Sequence, residues 1–419
     1  MTNFTMNSYE MKRDILNFSK KISKSVNKPT SKFIMDMQFG LAKSGSCLIS
    51  EIARSLNENI KLNYTIERLC DNLFNMTKEE HDTIWKNYLE EVKNNIDINN
   101  AVVLFDDSDI NKESSRKLED LDRVIDASSQ DKRIVNGYHV CEATILTKNE
   151  KQPISIYSEI YSCKSKTFES KNKYTMESIK RAEELVGDKF IGVFDRGYDD
   201  KKIIDYMSKY KFVIRLEDKR VLLFKGKRHN VEEITKGRKG KIKMKALFDD
   251  NVEKELMISY TKAVLPYNRK EYTLVMVYGL SEEHPMKLLT NIENAEKEDV
   301  IKIVRLYLSR WKIEEHFTGK KQEYDFENMR VRTLKSMNNL NMMLTVRLGY
   351  VSILSDQIDR KLLVMKVIEA SKSLRNKVIV WLSQISRGIK EILKYCHTGI
   401  KEWQKIEKRC KYKQIQLPL

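Results

Sequence analysis

Proline and glycine are scarce in this sequence of 419 residues, which contains 5 prolines and 14 glycines. Average proteins contain about 5% proline and about 7% glycine, so the shortage favours regular helices and strands joined by short loops. The hydrophobic content of 41% is enough to build a core, which excludes a disordered or low-complexity chain. At roughly 150 residues per domain, the length predicts two to four domains.

Long apolar runs are also missing from the sequence. A membrane-spanning helix requires about 20 largely uncharged apolar residues. The best candidate, 341–354, is shorter than that and contains Arg347. The first residues lack an apolar segment followed by a small-residue cleavage site, as a secretion signal has. We therefore expect a cytoplasmic protein without a membrane partner.

The cysteines and histidines lack the spacings of the common metal-binding motifs. No C-x-x-C pair occurs, and no histidine completes a zinc spacing around a cysteine. A cytoplasmic setting predicts reduced thiols. We expect His139 and His316 to be surface or partly buried side chains and not metal ligands. The six cysteines are Cys47, Cys70, Cys141, Cys163, Cys396 and Cys410.

Positive charge is present in excess and is unevenly placed along the chain. The formal net charge is +17. Segment 219–245 contains 11 basic and 2 acidic residues, and segment 371–419 contains 12 basic and 3 acidic residues. Because clustered cations release condensed counterions from a polyanion, these two segments predict nucleic-acid binding. The alternative is a lysine-rich chain whose charges only solvate its surface.

Hydrophobic periodicity divides the chain into three regions. Residues 1–95 are predicted to be helical, with two short amphipathic helices that resemble a DNA-binding helix-turn-helix, although any small helical bundle has the same pattern. Residues 96–345 are predicted to form an α/β domain with a β-rich insertion at about 216–285. Residues 346–419 are predicted to form a basic helical region, which is a candidate for dimerisation.

The order of predicted elements after residue 96 defines the fold class. Three apolar strand patterns are followed by a helix, a strand, a second helix and another strand. This is the order of a ribonuclease-H-like mixed α/β sheet, here flanked by helical regions at both ends. Two of the strands end in aspartates, one at 106–107 and the other at Asp195. The carboxyl ends of such strands present functional side chains.

The most distinctive segment of the sequence is 307–321. On a continuous helix of about 100° per residue, Tyr307, Arg310, Glu314 and Lys321 would share an arc of about 60°. Their spacing, Tyr-x2-Arg-x3-Glu-x6-Lys, resembles the YREK signature of the insertion-sequence-four family of DDE transposases. Segments 105–109 and 195–198 resemble the first and second aspartate motifs of that family, and the β-rich insertion lies between the second and third motifs.

The resemblance implies a cut-and-paste DNA transposase. It implies double-stranded DNA partners, namely transposon terminal inverted repeats and target DNA, a homodimer on DNA and a nucleoid-associated location in the cytoplasm of a bacterium. Mg²⁺ prefers carboxylate ligands, and two such ions suit an in-line displacement at phosphorus. The resemblance assigns two Mg²⁺ ions, with Mn²⁺ as a substitute, to Asp107, Asp195 and Glu314. It assigns DNA contacts to Tyr307, Arg310 and Lys321.

Several alternatives remain open at the level of sequence. Asp107 and Asp109 share a strand face with Phe105, and Asp106 points to the opposite face; the resemblance favours Asp107. Met286 stands where some family members have a tryptophan wedge, which leaves a DNA-hairpin step open. A non-enzymatic DNA-binding repressor or inactive relic, and a structure-specific nuclease of the same fold, are the rival functions.

Overall fold

The structure, a computed structural model, describes residues 3–126, 131–149, 151–247, 253–281, 284–294, 296–357, 361–372 and 381–396. Within these ranges the chain forms thirteen α-helices and twelve β-strands. None of the helices described there has both the length and the apolar composition needed to cross a membrane. Residues 397–419, which contain part of the second basic segment, lie outside these ranges.

Five helices at the start of the chain bury their apolar sides together. At the start of α2 the Asn27 side chain accepts a hydrogen bond from the Thr30 N–H group, and Thr77 and Glu80 form a capping box at α5. Such caps satisfy N–H groups that have no partner within the helix. The two predicted amphipathic helices are confirmed as α3 and α4. The helices are α1 (Asn3–Ile22), α2 (Lys28–Ser44), α3 (Ile49–Leu56), α4 (Leu62–Asn75) and α5 (Lys78–Lys93).

A mixed sheet follows, with the central strand order β4-β3-β1-β5-β6. Strand β5 is parallel to β1 and β6, β3 is antiparallel to β1, and β4 is antiparallel to β3. Helices α6 and α7 provide the two parallel crossovers. The predicted ribonuclease-H-like α/β fold is therefore confirmed. The elements are β1 (Val102–Asn111), β2 (Asp122–Ile125), β3 (Ile134–Leu146), β4 (Pro153–Tyr161), α6 (Lys171–Val186), β5 (Ile191–Phe194), α7 (Lys201–Met207) and β6 (Lys211–Arg215).

The β-rich insertion extends this same sheet. Its chain returns through β12, which is antiparallel to both β6 and β11. The strand order therefore continues β6-β12-β11-β10-β7-β8, and β9 pairs with β10. The elements are β7 (Val221–Phe224), β8 (Lys227–Asn230), α8 (Val231–Thr235), β9 (Ile242–Leu247), β10 (Glu253–Val264), β11 (Glu271–Tyr278) and β12 (Met286–Thr290).

The C-terminal helices pack against the N-terminal ones. Helix α11 contacts β4 and the helices α2, α4 and α5, and it continues without a break through the boundary predicted at 345/346. In α13, the Ile392 carbonyl accepts a hydrogen bond of 2.8 Å from Ser8 Oγ. The described N-terminal and C-terminal helices thus form one helical body beside the sheet. The helices are α9 (Lys297–Leu308), α10 (Trp311–Thr318), α11 (Leu334–Asp356), α12 (Lys361–Ala370) and α13 (Trp381–Lys394).

Candidate active site

Two neighbouring parallel strands bring the first two acidic motifs together. Phe105 of β1 is paired in register with Phe194 of β5, and their rings stack with centroids 4.4 Å apart. Strands buried on both faces require such apolar residues. Because the two phenylalanines are in register, the residues that follow them, Asp106 and Asp195, lie side by side.

Asp106 and Asp107 point to opposite faces of the sheet. Asp106 Oδ2 accepts a hydrogen bond of 2.9 Å from Arg310 Nη1. Asp107 Oδ2 lies 2.8 Å from Lys171 Nζ, at the start of α6. The structure therefore brings Asp106, and not the sequence-assigned Asp107, to the residues of the YREK-like segment. The physical reason is the alternation of side chains along a strand, combined with the position of Arg310 on the Asp106 side.

The Arg310 guanidinium contacts three carboxylates. In addition to Asp106, its Nη2 donates a hydrogen bond of 2.6 Å to Glu314 Oε1, and its Nε lies 4.0 Å from Asp195 Oδ1. Arg310 is largely buried, and Glu314 is more than half exposed. Asp106, Asp195 and Glu314 are therefore grouped around one cation, and we call them the acidic triad.

Asp195 has a second polar partner in Tyr307. The Tyr307 hydroxyl donates a hydrogen bond of 2.9 Å to Asp195 Oδ1, and Arg215 Nη1 lies 3.9 Å from the same oxygen. Burial on its own would raise the pKa of Asp195, but the charge of Arg310 and these contacts lower the pKa below its usual value. For the less accessible Asp106, burial prevails over Arg310 and raises the pKa to about 7. The neighbouring charge of Asp195 adds to that rise.

The helix predicted for 307–321 is broken in the structure. Helix α9 ends at Leu308, α10 begins at Trp311, and a π-helical turn follows at Gly319–Glu323. At the first break, Ser309 Oγ donates a hydrogen bond of 2.7 Å to the Leu306 carbonyl, a type of contact that bends helices. Tyr307 and Glu314 therefore lie on different helices, although Tyr307 contacts Asp195 and Glu314 contacts Arg310.

Lys321 is separated from the other three residues of the motif. It lies in the π-helical turn, and its Nζ is 3.1 Å from Glu327 Oε1. A π-helical turn adds residues to the helical repeat, so the angle predicted from 100° per residue no longer applies after Thr318. The structure thus brings Tyr307, Arg310 and Glu314 together and holds Lys321 at a different acidic partner.

A fully buried polar cluster lies behind this segment, and sequence reasoning missed it. Lys320 Nζ contacts Glu142 Oε2 at 2.7 Å and Asn341 Oδ1 at 3.1 Å. His316 Nε2 lies 3.2 Å from Glu142 Oε1. The signal in the sequence was an acidic residue, Glu142, between apolar residues of a strand. The cluster joins β3 and α11 to the turn that follows α10, and so holds in place the helix that carries Glu314.

Met286, the residue at the predicted wedge position, begins strand β12 and is largely buried. It lines a cavity together with Arg196, Arg215 and His284. Because Arg215 also contacts Asp195, this cavity adjoins the acidic triad.

Comparison with known proteins finds a family match for one part of the chain. Residues 167–348 match the family model described as "Transposase DDE domain"; the match contains Asp195 and Glu314 and begins after Asp106. No curated protein matches the sequence. Among solved structures, the chain is similar to the cryo-EM structure of the piggyBac transposase synaptic complex with hairpin DNA, with a TM-score of 0.47 and 12% identity over 99% of this chain and 83% of that chain. The family match supports a DDE transposase.

Proposed function

We propose that this protein is a cut-and-paste DNA transposase of the insertion-sequence-four family. The observation that carries the proposal is the convergence of Asp106, Asp195 and Glu314 on Arg310, on a ribonuclease-H-like sheet. Two of these acids and Arg310 lie within the segment that matches the transposase DDE domain. The rival function of a DNA-binding repressor has no use for three grouped carboxylates.

The acidic triad fits a site for divalent cations. Its donors are carboxylate oxygens, which Mg²⁺ and Mn²⁺ prefer, and the position they surround already attracts a cation, the Arg310 guanidinium. We assign the ligand roles to Asp106, Asp195 and Glu314, with Asp106 in place of Asp107. Two Mg²⁺ ions bound there would supply the positive charge that steadies the entering and leaving oxygens at phosphorus.

The other residues of the motif bind and orient the DNA in this proposal. Arg310 exchanges its carboxylate partners for a phosphate of the transposon end, since a guanidinium suits both. The Tyr307 hydroxyl, held beside the site by Asp195, donates to a phosphate oxygen. Lys321 reaches the same strand by leaving Glu327, a half-buried partner that follows the π-helical turn. Met286 lines the cavity beside the acidic triad, and in this proposal its apolar side chain is the wedge of a hairpin step.

Further parts of the proposal concern assembly. The N-terminal helices bind the terminal inverted repeats, with α3 and α4 as a helix-turn-helix. The cleaved 3′ ends of the transposon are then transferred to target DNA. Two ends must be held together, and two-fold symmetry is the commonest way for two copies of a chain to associate, so we propose a homodimer on DNA. Our candidate for the subunit contact is the group of C-terminal helices, because the apolar side chains of Leu362 and Met365 on α12 are exposed.

The test is cleavage of DNA that carries the element's own ends, in the presence of Mg²⁺. Asp106→Asn and Glu314→Gln should each reduce cleavage at least about a hundredfold, because the loss of a direct ligand should cost no less than the loss of a supporting residue. Asp107→Asn is the matched control and should retain most of the activity. DNA binding, measured in parallel, should survive in all three variants.

Other outcomes would assign a different function. Binding without cleavage by the wild-type protein would favour the repressor. Cleavage without joining of the 3′ ends to target DNA would favour the nuclease. Loss of cleavage in Asp107→Asn with activity retained in Asp106→Asn would return the ligand role to Asp107.

A further inference from the structure

A second group of metal-ligand residues lies on three neighbouring strands. Asp122 belongs to β2, His139 to β3, and Cys163 follows the end of β4. One ligand atom from each residue lies within 4.8 Å of the other two. These positions are adjacent because Asp122 is paired with Gly137, two residues before His139, and His139 is paired with Tyr161, two residues before Cys163.

The donor set is that of zinc and not that of magnesium. A thiolate, an imidazole and a carboxylate are the three kinds of side chain that bind Zn²⁺ in proteins, with bond lengths of about 2.0–2.3 Å. A tetrahedral site of that size places its donor atoms about 3.5 Å apart. The observed 4.8 Å limit therefore requires a shift of little more than about 1 Å, and Cys163 is exposed and able to make it.

His139 makes a carboxylate contact that is common among metal-binding histidines. Its Nδ1 lies 2.8 Å from Asp109 Oδ1, which assigns Nδ1 to Asp109 and leaves Nε2 as the nitrogen that would bind a metal ion. Metal-binding histidines commonly donate their other N–H group to a carboxylate, which fixes both the ring and its tautomer.

Asp122 is also held in place. Its Oδ1 accepts a hydrogen bond of 2.8 Å from the Arg123 N–H group, and its Oδ2 accepts one of 2.6 Å from the Cys163 N–H group. The second of these bonds joins the carboxylate directly to the residue that carries the thiol. His139 and Asp122 are therefore held in position without a metal ion. Cys163 is linked to Asp122 through the hydrogen bond of its own N–H group.

We propose that Asp122, His139 and Cys163 bind one Zn²⁺ ion, with water at the fourth position. On binding, the Cys163 S–H bond breaks, a Zn–S bond forms and the proton passes to the solvent. The site is separate from the acidic triad, because His139 lies opposite Asp109, which shares a strand face with Asp107 and not with Asp106. The ion ties three strands to the loop that leads into α6, where Lys171 contacts Asp107.

The proposal is tested by Co²⁺ titration of the full-length protein in excess Mg²⁺. A cysteine-bound Co²⁺ ion gives a thiolate-to-metal charge-transfer band and tetrahedral d–d bands. We expect one equivalent of Co²⁺ to give both, with release of one proton, and Zn²⁺ to displace it. Cys163→Ser should abolish the charge-transfer band, and Cys70→Ser, which alters a partly exposed thiol on α4, should leave it unchanged.

His139→Gln provides a second test at a partly exposed position, where a loss of folding is not expected. It should weaken Co²⁺ binding at least about tenfold. The proposal is overturned if the wild-type protein gives no charge-transfer band, or if Cys163→Ser or His139→Gln binds Co²⁺ as the wild type does. Glu314→Gln should keep the band, so failure of this site and failure of the proposed catalytic site are distinguishable.

Discussion

At the scale of single residues, the sequence does not predict whether Asp106 or Asp107 faces the candidate site. Strand alternation predicts that these two side chains point to opposite faces, and the structure agrees. Which face holds the site depends on the location of Arg310, more than 200 positions later in the chain. No local pattern contains that information, and the motif resemblance favoured Asp107, whereas the structure places Asp106 beside Arg310.

Glu142 provides a prediction at the same scale. Glu142→Gln should lower the free energy of unfolding by about 3–5 kcal/mol near neutral pH, because it leaves Lys320 buried without its counter-charge. Lys320 and His316 outweigh burial and lower the pKa of Glu142 from 4.5 to about 2. The stability that this carboxylate contributes is therefore present above about pH 4.5 and is lost as the pH falls toward about 2.

Denaturant unfolding of both proteins across that pH range measures the effect. The difference in free energy of unfolding between wild type and Glu142→Gln should shrink steadily on acidification. The double variant Glu142→Gln/Lys320→Met should recover part of the stability, since no unpaired charge remains buried. A difference that does not change with pH would show that the carboxylate charge is not what stabilises the cluster.

At the scale of elements, the regular strands and helices were predictable and the irregular turns were not. The apolar runs at 101–105, 190–194 and 212–215 correspond to β1, β5 and β6. Helix α6 begins at Lys171, after a Ser170 cap, and ends at Val186 with Gly187 as its C-cap. This start matters because it brings Lys171 to Asp107.

The broken helix at 307–321 shows why periodicity failed there. A period of 3.6 residues predicts which side chains share a face only while the α-helix continues. Here Lys320 is buried and contacts Glu142 of β3 and Asn341 of α11. The π-helical turn accompanies that tertiary contact, and the sequence of the helix alone does not encode it.

The packing of α11 on α5 gives a prediction at the element scale. A Cβ atom on Gly349 would lie 2.6 Å from Tyr88 Cε2, and the Tyr88 hydroxyl is fixed by a hydrogen bond of 2.9 Å to the Ser155 carbonyl. Gly349→Ala should therefore lower the free energy of unfolding by about 1–3 kcal/mol through overpacking. Thermal or denaturant unfolding measures the change.

Gly319→Ala is the control for that substitution. The nearest atom to its added Cβ, Leu348 Cδ2, is at an ordinary 3.7 Å. Alanine restricts the unfolded chain, so the stability should be unchanged or higher by about 0.4–1 kcal/mol. If Gly349→Ala is as stable as Gly319→Ala, α11 and α5 adjust freely and the close approach at Gly349 is not required.

At the scale of the whole molecule, charge and topology together define a basic edge of the sheet. The first basic segment, 219–245, lies on β7, β8, α8 and β9, at the edge of the sheet opposite to β2. Composition predicted a basic segment but not its place in the fold. The joining of the N-terminal and C-terminal helices into one body was equally beyond the sequence, because the contacts connect residues nearly 400 positions apart.

The basic edge predicts a specific salt dependence of DNA binding. Lys227, Lys236 and Lys239 are exposed, and changing all three to alanine should weaken binding to DNA of any sequence. It should also reduce the slope of log K against log salt concentration by up to about 1 for each phosphate that the variant no longer neutralises. Lys243→Ala/Lys245→Ala is the control, because these lysines already pair with Glu255 and Glu253. If the triple variant binds DNA with the affinity and salt dependence of the wild type, the basic edge is not a DNA surface.

The most direct test of the account is the position of the metal ions. A crystal of the protein with terminal-repeat DNA and Mn²⁺ would reveal the ions by anomalous scattering. We expect manganese bound by Asp106, Asp195 and Glu314, with Arg310 moved to a DNA phosphate and Asp107 still beside Lys171. Manganese bound by Asp107, or a triad whose carboxylates remain too far apart to share an ion when DNA is present, would contradict the proposed mechanism.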